Sequence, residues 1–436
     1  MPEAFDRRHY RSVITGDETT TIKAMLSCIA AGIPVLIEGL PGIGKSTITE
    51  QIGEQWGFYT DIVMLGEIVP EEMVGYPVED RSREARGQNG LDEHGLPAVR
   101  IRTSPPEWVT DLLDAMNDPN KTYRGKLIFL DEMNQGGPSV QKTAAKLLRT
   151  KTIGRVNLGA DTALVGAFND TRTAIDGNVF GAPLANRCCF LYWPMDREVI
   201  TKAFKRGGDF PKIQIPDFTE EIRETGRAWA KQEMMKIGTF LERSPDFMHL
   251  MPIDDEDAGR AWASPRSFEN YAIVAGQAKA FGYHEDVISL LRRGMIGEPA
   301  SVGLQNFLDT MDLQDPEELI ANPELTRVPP RGRSDVAMLT SESLVICLER
   351  QLTAKRWKGA WQVLEKLDGE GIYLDAIAPA LADMNKLLTA SIMKECRPML
   401  EASPLLRRFS ELKNREGFVR DYELADDDLD AEIGLV

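Results

Sequence analysis

The sequence predicts an α/β fold, a parallel sheet sandwiched by helices, followed by segments that are largely helical. Short apolar runs recur at Pro34–Glu38, Lys126–Leu130, Thr162–Phe168 and Cys189–Trp193. Their length and composition suit strands buried on both faces. Helical patterns separate them, and alternating strands and helices favour a parallel sheet that works at its carboxyl ends. Each run also ends in polar or turn-forming residues: Gly39, the pair Asp131–Glu132, Asn169 and Pro194.

In chain order, Thr20–Ala31 has helical character and Gly32 ends it. PVLIE (34–38) reads as a strand, a glycine-rich turn follows, and Ser46–Trp56 reads as a helix. The stretch Arg81–Pro97 is polar and rich in glycine, and is expected to be an exposed loop or hairpin. After about Asp196 the strand signals fade. Ile222–Leu241 and Ser267–Phe281 have the pattern of amphipathic helices, which suggests a helical lid. Beyond Gly297 the pattern is again helical, interrupted by Asn322–Ser334 with its three prolines. Asp421–Glu432 carries seven carboxylates and no basic residue, as a solvated tail would. The expected domains are 1–205 (α/β, nucleotide-binding), 206–296 (helical lid) and 297–436 (helical extension with an acidic tail).

A chain of 436 residues is too long for one compact core. Hydrophobic content of 42% and charged content of 27% are those of a globular protein. No apolar run approaches the roughly 20 residues that cross a bilayer, and the N-terminus MPEAFDRRHYR is not a signal peptide. The five cysteines show no metal-binding spacing, and the adjacent Cys188 and Cys189 sit in an apolar stretch. Buried thiols and a reducing, cytoplasmic location are expected. The four histidines are isolated and read as structural or surface residues. A net charge of −17 argues against tight non-specific nucleic-acid binding, which needs clustered Lys and Arg.

Gly39-Leu40-Pro41-Gly42-Ile43-Gly44-Lys45-Ser46 matches the P-loop pattern G-x-x-x-x-G-K-[ST]. Such glycines let backbone N–H groups turn in around phosphates, and the following helix presents its positive end. Gly39, Pro41, Gly42, Ile43, Gly44, Lys45, Ser46 and Thr47 are therefore the expected contacts to a nucleoside triphosphate, ATP with Mg2+. Lys45 would neutralise the β and γ phosphates, and the Ser46 hydroxyl would ligate the magnesium. Asp131, at the tip of a second strand, would hold the same ion, usually through water. Glu132 would polarise the attacking water. Asn169, Arg187 in Ala185-Asn186-Arg187, and Arg266 in Ala263-Ser264-Pro265-Arg266 stand at suggestive positions. Alone, they read as turn chemistry and surface ion-pair partners.

Taken together, GLPGIGKST (39–47), LIFLDEMN (127–134), ALVGAFND (163–170), PLANRC (183–188) and ASPRSF (263–268) resemble the MoxR family of AAA+ ATPases over about 1–295. The resemblance implies an AAA+-type P-loop NTPase fold with a helical lid. It implies that Asn169 is sensor 1, that Arg187 is the finger given to a neighbouring subunit, and that Arg266 is sensor 2, reaching the γ-phosphate from the lid. It further implies a homo-oligomeric ring, a hexamer, acting as a chaperone-like motor on a client protein, often one with a von Willebrand factor A domain. Two departures stand out: Cys188 follows the finger where the family often has Phe, and Asn134-Gln135 replaces an Asn-Arg pair. Two other readings remain open. Phe168-Asn169-Asp170-Thr171-Arg172 faintly resembles McrB-like GTPases, and a non-catalytic, nucleotide-dependent assembly switch would need the same pocket.

Overall fold

The computed structural model describes residues 18–80, 100–169, 181–194, 197–207 and 212–413. The glycine-rich stretch 81–97, the acidic tail 421–432 and residues 170–172 fall outside the described residues. The chain divides into two compact units, residues 1–230 with 246–302, and residues 231–245 with 303–436.

The first unit begins with α1 (Glu18–Ala31), β1 (Val35–Glu38), α2 (Lys45–Trp56), β2 (Phe58–Met64) and α3 (Pro70–Val74). The antiparallel pair β3 (Pro77–Asp80) and β4 (Arg100–Thr103) follows, then α4 (Glu107–Asn117), β5 (Gly125–Asp131) and α5 (Pro138–Thr150). A small pair, β6 (Thr152–Ile153) and β7 (Val156–Asn157), leads into β8 (Thr162–Phe168), α6 (Ala182–Ala185), β9 (Cys189–Tyr192) and α7 (Arg197–Lys205).

Five strands form one parallel sheet in the order β2-β5-β8-β1-β9. The strands β1 and β8 are buried along their whole lengths, which explains their largely apolar sequences. The chain leaves β1 for the far edge at β2, returns through β5 to β8, then crosses to β9. Connections thus diverge from the β1–β8 pair, and such a switch point opens a crevice at the strands' carboxyl ends. The four strands expected from the sequence are present, and β2 is added. Thr60 and Asp61 interrupt its apolar run. It lies at the sheet edge with half-buried side chains, so its sequence never had to be continuously apolar.

Trp56, Phe58, Phe218 and Phe281 pack as an aromatic cluster, with Trp56 and Phe218 rings 4.9 Å apart. The Trp56 indole Nε1 donates to the Pro216 carbonyl at 2.8 Å, so the buried ring keeps its polar edge satisfied. All five cysteines are free and buried, and burial pushes the Cys188 thiol well above its usual range. This unit also holds most of the expected lid. It includes the first part of α8 (Glu220–Arg243), the short α9 (Asp255–Ala258), α10 (Pro265–Ala280) and α11 (Glu285–Met311) as far as residue 302. Gly297 breaks the helical path of α11 with φ 75°, and Pro299 follows. Among the described residues no helix is long and apolar enough to cross a membrane.

The second unit is helical. Its core is built by α12 (Pro316–Ala321), α13 (Ser334–Arg350), α14 (Ala354–Leu367), α15 (Leu374–Lys386), α16 (Ala390–Ala402) and α17 (Pro404–Lys413). Trp357 and Trp361, one turn apart on α14, stack at 5.3 Å. Their indole N–H groups donate to the Met384 carbonyl and to Ser403 Oγ, both at 3.1 Å. Beside this core, partial burial raises the Glu342 carboxyl to about 7, and the Asp383 and Glu349 carboxylates push it the same way. Folding therefore holds a proton on Glu342 that the unfolded chain releases near its ordinary value. That contribution is complete below the ordinary value and is lost as pH rises through about 7. Glu342→Gln should raise the thermal midpoint at pH 8 and leave it nearly unchanged at pH 4. Equal shifts at both pH values in thermal melts would refute the assignment.

Candidate functional site

The P-loop lies between β1 and α2, at the switch point. Gly42 and Gly44 take φ of 73° and 86°, a left-handed backbone that side-chain-bearing residues rarely adopt. Gly44 caps α2, so the helix starts at Lys45 with its first N–H groups free to face an anion. The loop is pinned at its start, where Gly39 N donates to Phe168 O at 3.2 Å, and Trp193 N donates to Glu38 O at 2.7 Å. Pro41, Gly42 and Thr47 are exposed, while Ile43, Gly44 and Ser46 are half-buried.

The Lys45 ammonium is buried. It donates to the carbonyls of Gly39 (2.8 Å) and Leu40 (3.2 Å) and to Asn169 Oδ1 (3.3 Å). Burial lowers its pKa, and the nearby charges of Asp131, Glu132 and Glu38 oppose that shift. The P-loop lysine at the start of α2, the paired carboxylates at the end of β5 and Asn169 just past β8 are far apart in sequence and therefore share one electrostatic neighbourhood only through the fold. With Oδ1 taken by Lys45, the Asn169 Nδ2 has no hydrogen-bond partner among the described residues. Glu38 is itself paired with Arg260.

Asp131 ends β5 and Glu132 follows it. Asp131 Oδ1 accepts from Glu132 N at 2.8 Å, and Glu132 has φ 54°, a left-handed conformation on a residue with a side chain. Such strain of order 1–3 kcal/mol persists where the surroundings over-determine it, typically at functional sites. The Glu132 carboxylate lies over Gly66, where a Cβ would fall only 2.4 Å from Oε2. Asn134, almost fully buried, ties the ends of β5 and β8 together. Its Nδ2 donates to Asn169 O at 2.8 Å, and its Oδ1 accepts from Asn169 N at 3.4 Å. In the sequence Asn134 is simply one residue of LIFLDEMN. Nothing local distinguishes it, because its partner is 35 residues away.

For magnesium, Ser46 and Asp131 supply oxygen donors of the kind a hard cation takes. Among the described residues no group of three His, Cys, Asp or Glu side chains is arranged to hold a metal ion. A hydroxyl plus one carboxylate suits an ion that keeps its waters and takes its other ligands from phosphates.

The arginines stand elsewhere. Arg187 precedes β9, whose Cys189 is in register with Val35 at the start of β1. It thus lies at the amino edge of the sheet, while the P-loop lies at the carboxyl edge. Four residues of β9 alone separate the two by about 13 Å. Burial lowers the Arg187 pKa, followed by the like charges of Arg266 and Arg149. Arg266 is therefore a neighbour of Arg187. The reason is a buried network. Asn186 Nδ2 donates to Trp262 O (3.2 Å), and Ser264 Oγ donates to Asn186 Oδ1 (2.6 Å). Ser264 and Ser267 cap α10 reciprocally. The residue before Arg187 thus holds the helix start that carries Arg266. No sequence signal marks the bond of Asn186 across 78 residues.

Comparison with known proteins gives a family match over part of the chain. Residues 34–164, from β1 into β8, match the model of the AAA domain, dynein-related subfamily. That span contains the P-loop, Asp131 and Glu132, but not Asn169, Arg187 or Arg266. A presumed ATPase from Cytophaga hutchinsonii, known as a crystal structure at 2.00 Å, is similar at 14% identity with a TM-score of 0.42. The similarity covers 71% of this chain and 94% of that one. Among curated proteins no match was found.

Proposed function

We propose that this chain, whose residues 34–164 match an AAA domain, is a Mg2+-dependent ATP-hydrolysing motor of MoxR type that works as a ring. One observation carries the proposal. The phosphate pocket and the arginines that would complete it occupy opposite edges of one sheet, beyond the reach of a single side chain. In a ring, the arginine edge of each chain meets the pocket of the next.

Within a pocket, Lys45 exchanges the Gly39 and Leu40 carbonyls for β and γ oxygens. Bound magnesium would neutralise charge on those oxygens, held by Ser46 and, through water, Asp131. Glu132 takes a proton from the attacking water, and Asn169 fixes that water or the γ-phosphate through its amide. Arg187 and Arg266 arrive together from the neighbour, because Asn186 binds their two segments into one piece. Loss of the γ-phosphate removes the anion that both arginines hold, and each hydrolysis thereby changes an interface. The work is remodelling of a client protein in the cytoplasm, with a von Willebrand factor A-domain protein as the partner class to test first.

Light scattering of the Glu132→Gln chain in saturating ATP should give the mass of a hexamer. A monomer under those conditions would sink the ring. The same trapped species, used as bait, should retain the client.

A further inference from the structure

We propose that Arg149 is a third arginine donated in trans, binding the neighbouring chain's triphosphate beside Arg187 and Arg266; this rests on the ring reading above. The placement comes from the fold. α5 starts near the carboxyl end of β5 and runs 13 residues, about 20 Å, toward the amino edge of the sheet. Its last turn carries Arg149, and α5 packs against α6, the helix just before Arg187. The Arg149 charge is one of the two that depress Arg187. Three guanidinium groups therefore converge from the end of α5, the α6–β9 turn and the start of α10.

Stability alone would not assemble this cluster. Arg149 and Arg266 are exposed, and none of the three arginines forms an ion pair with a described carboxylate. This occurs in a chain of net charge −17, where acids are plentiful. Arg266 sits in the first turn of α10, where the helix dipole disfavours a cation. α5 itself carries Lys142, Lys146 and Arg149 and no acid. At i, i+4 and i+7 the three cations share one exposed face, so the repulsion is not relieved along the helix. Like charges held together without carboxylate partners among the described residues, with Arg187 hydrogen-bonded to the Pro183 carbonyl of its own turn, form a site prepared for an anion. On the ring reading, the anion facing this edge is the triphosphate of the next chain.

The test mixes chains. Arg149→Ala is expected to lower kcat by roughly 10²-fold, as loss of one transition-state donor does. Binding of a fluorescent ATP analogue to the dilute, unassembled chain should not change. Adding Lys45→Ala chains, which cannot hold nucleotide but keep all three arginines, should restore turnover in the Arg149→Ala pockets. A mere packing role would show no such rescue. Unchanged kcat in Arg149→Ala, or reduced kcat that Lys45→Ala chains do not rescue while they do rescue Arg187→Ala, overturns the role of Arg149. Failure to rescue Arg187→Ala as well overturns the ring reading, and this inference with it.

Discussion

Glu132→Gln should abolish turnover while ATP stays bound. The amide has the size and shape of the carboxylate but cannot accept the proton that attacking water must lose. The backbone φ of 54°, the bond from Glu132 N to Asp131 Oδ1 and the room above Gly66 do not depend on the side-chain charge. The pocket should therefore keep its form, and the loss should fall on kcat. General-base groups contribute roughly 10²–10⁴-fold, and phosphate release in single-turnover conditions should fall by that factor. Undiminished phosphate release would remove Glu132 from the role of base. Retained ATP with lost turnover would also separate a motor from a binding switch, since a switch has no turnover to lose.

Arg187→Ala should be equally severe by a different route. A finger arginine contributes about 10³-fold or more by neutralising charge in the transition state. Because Arg187 stands at the amino edge of its own sheet, its removal should leave the first binding of ATP to an isolated chain untouched. The defect should appear only where chains meet. Turnover per chain, measured over a dilution series, should rise with concentration for the unmodified protein and stay flat for the variant. Equal turnover for the two at every concentration would show that the pocket is complete within one chain.

These two residues also mark how far the sequence could be read. The P-loop was legible because its chemistry is local. Eight consecutive residues supply the turn, the lysine and the hydroxyl, and the left-handed Gly42 and Gly44 need no distant partner. Asp131 and Glu132 were legible because a buried strand must end in something polar where it meets solvent. The helical second unit was visible as a pattern, although the pairing of Trp357 with Trp361 and the raised Glu342 carboxyl depend on packing that no periodicity encodes. β2 escaped because an edge strand tolerates Thr60 and Asp61.

Alone, then, the sequence determined the phosphate cradle, the acid pair, the alternation of strands and helices, and the identity of each candidate arginine. Tertiary structure decided which of these residues meet. Parallel register with β1 set Arg187 at the edge opposite the pocket. The buried bonds of Asn186 to Ser264 and Trp262 set the start of the helix that carries Arg266 beside Arg187. Asn134 locked Asn169 beside Lys45. The physical reason is common to all three. A strand's direction and a buried side-chain hydrogen bond join residues tens of positions apart, and neither leaves a trace in the residues' immediate neighbours.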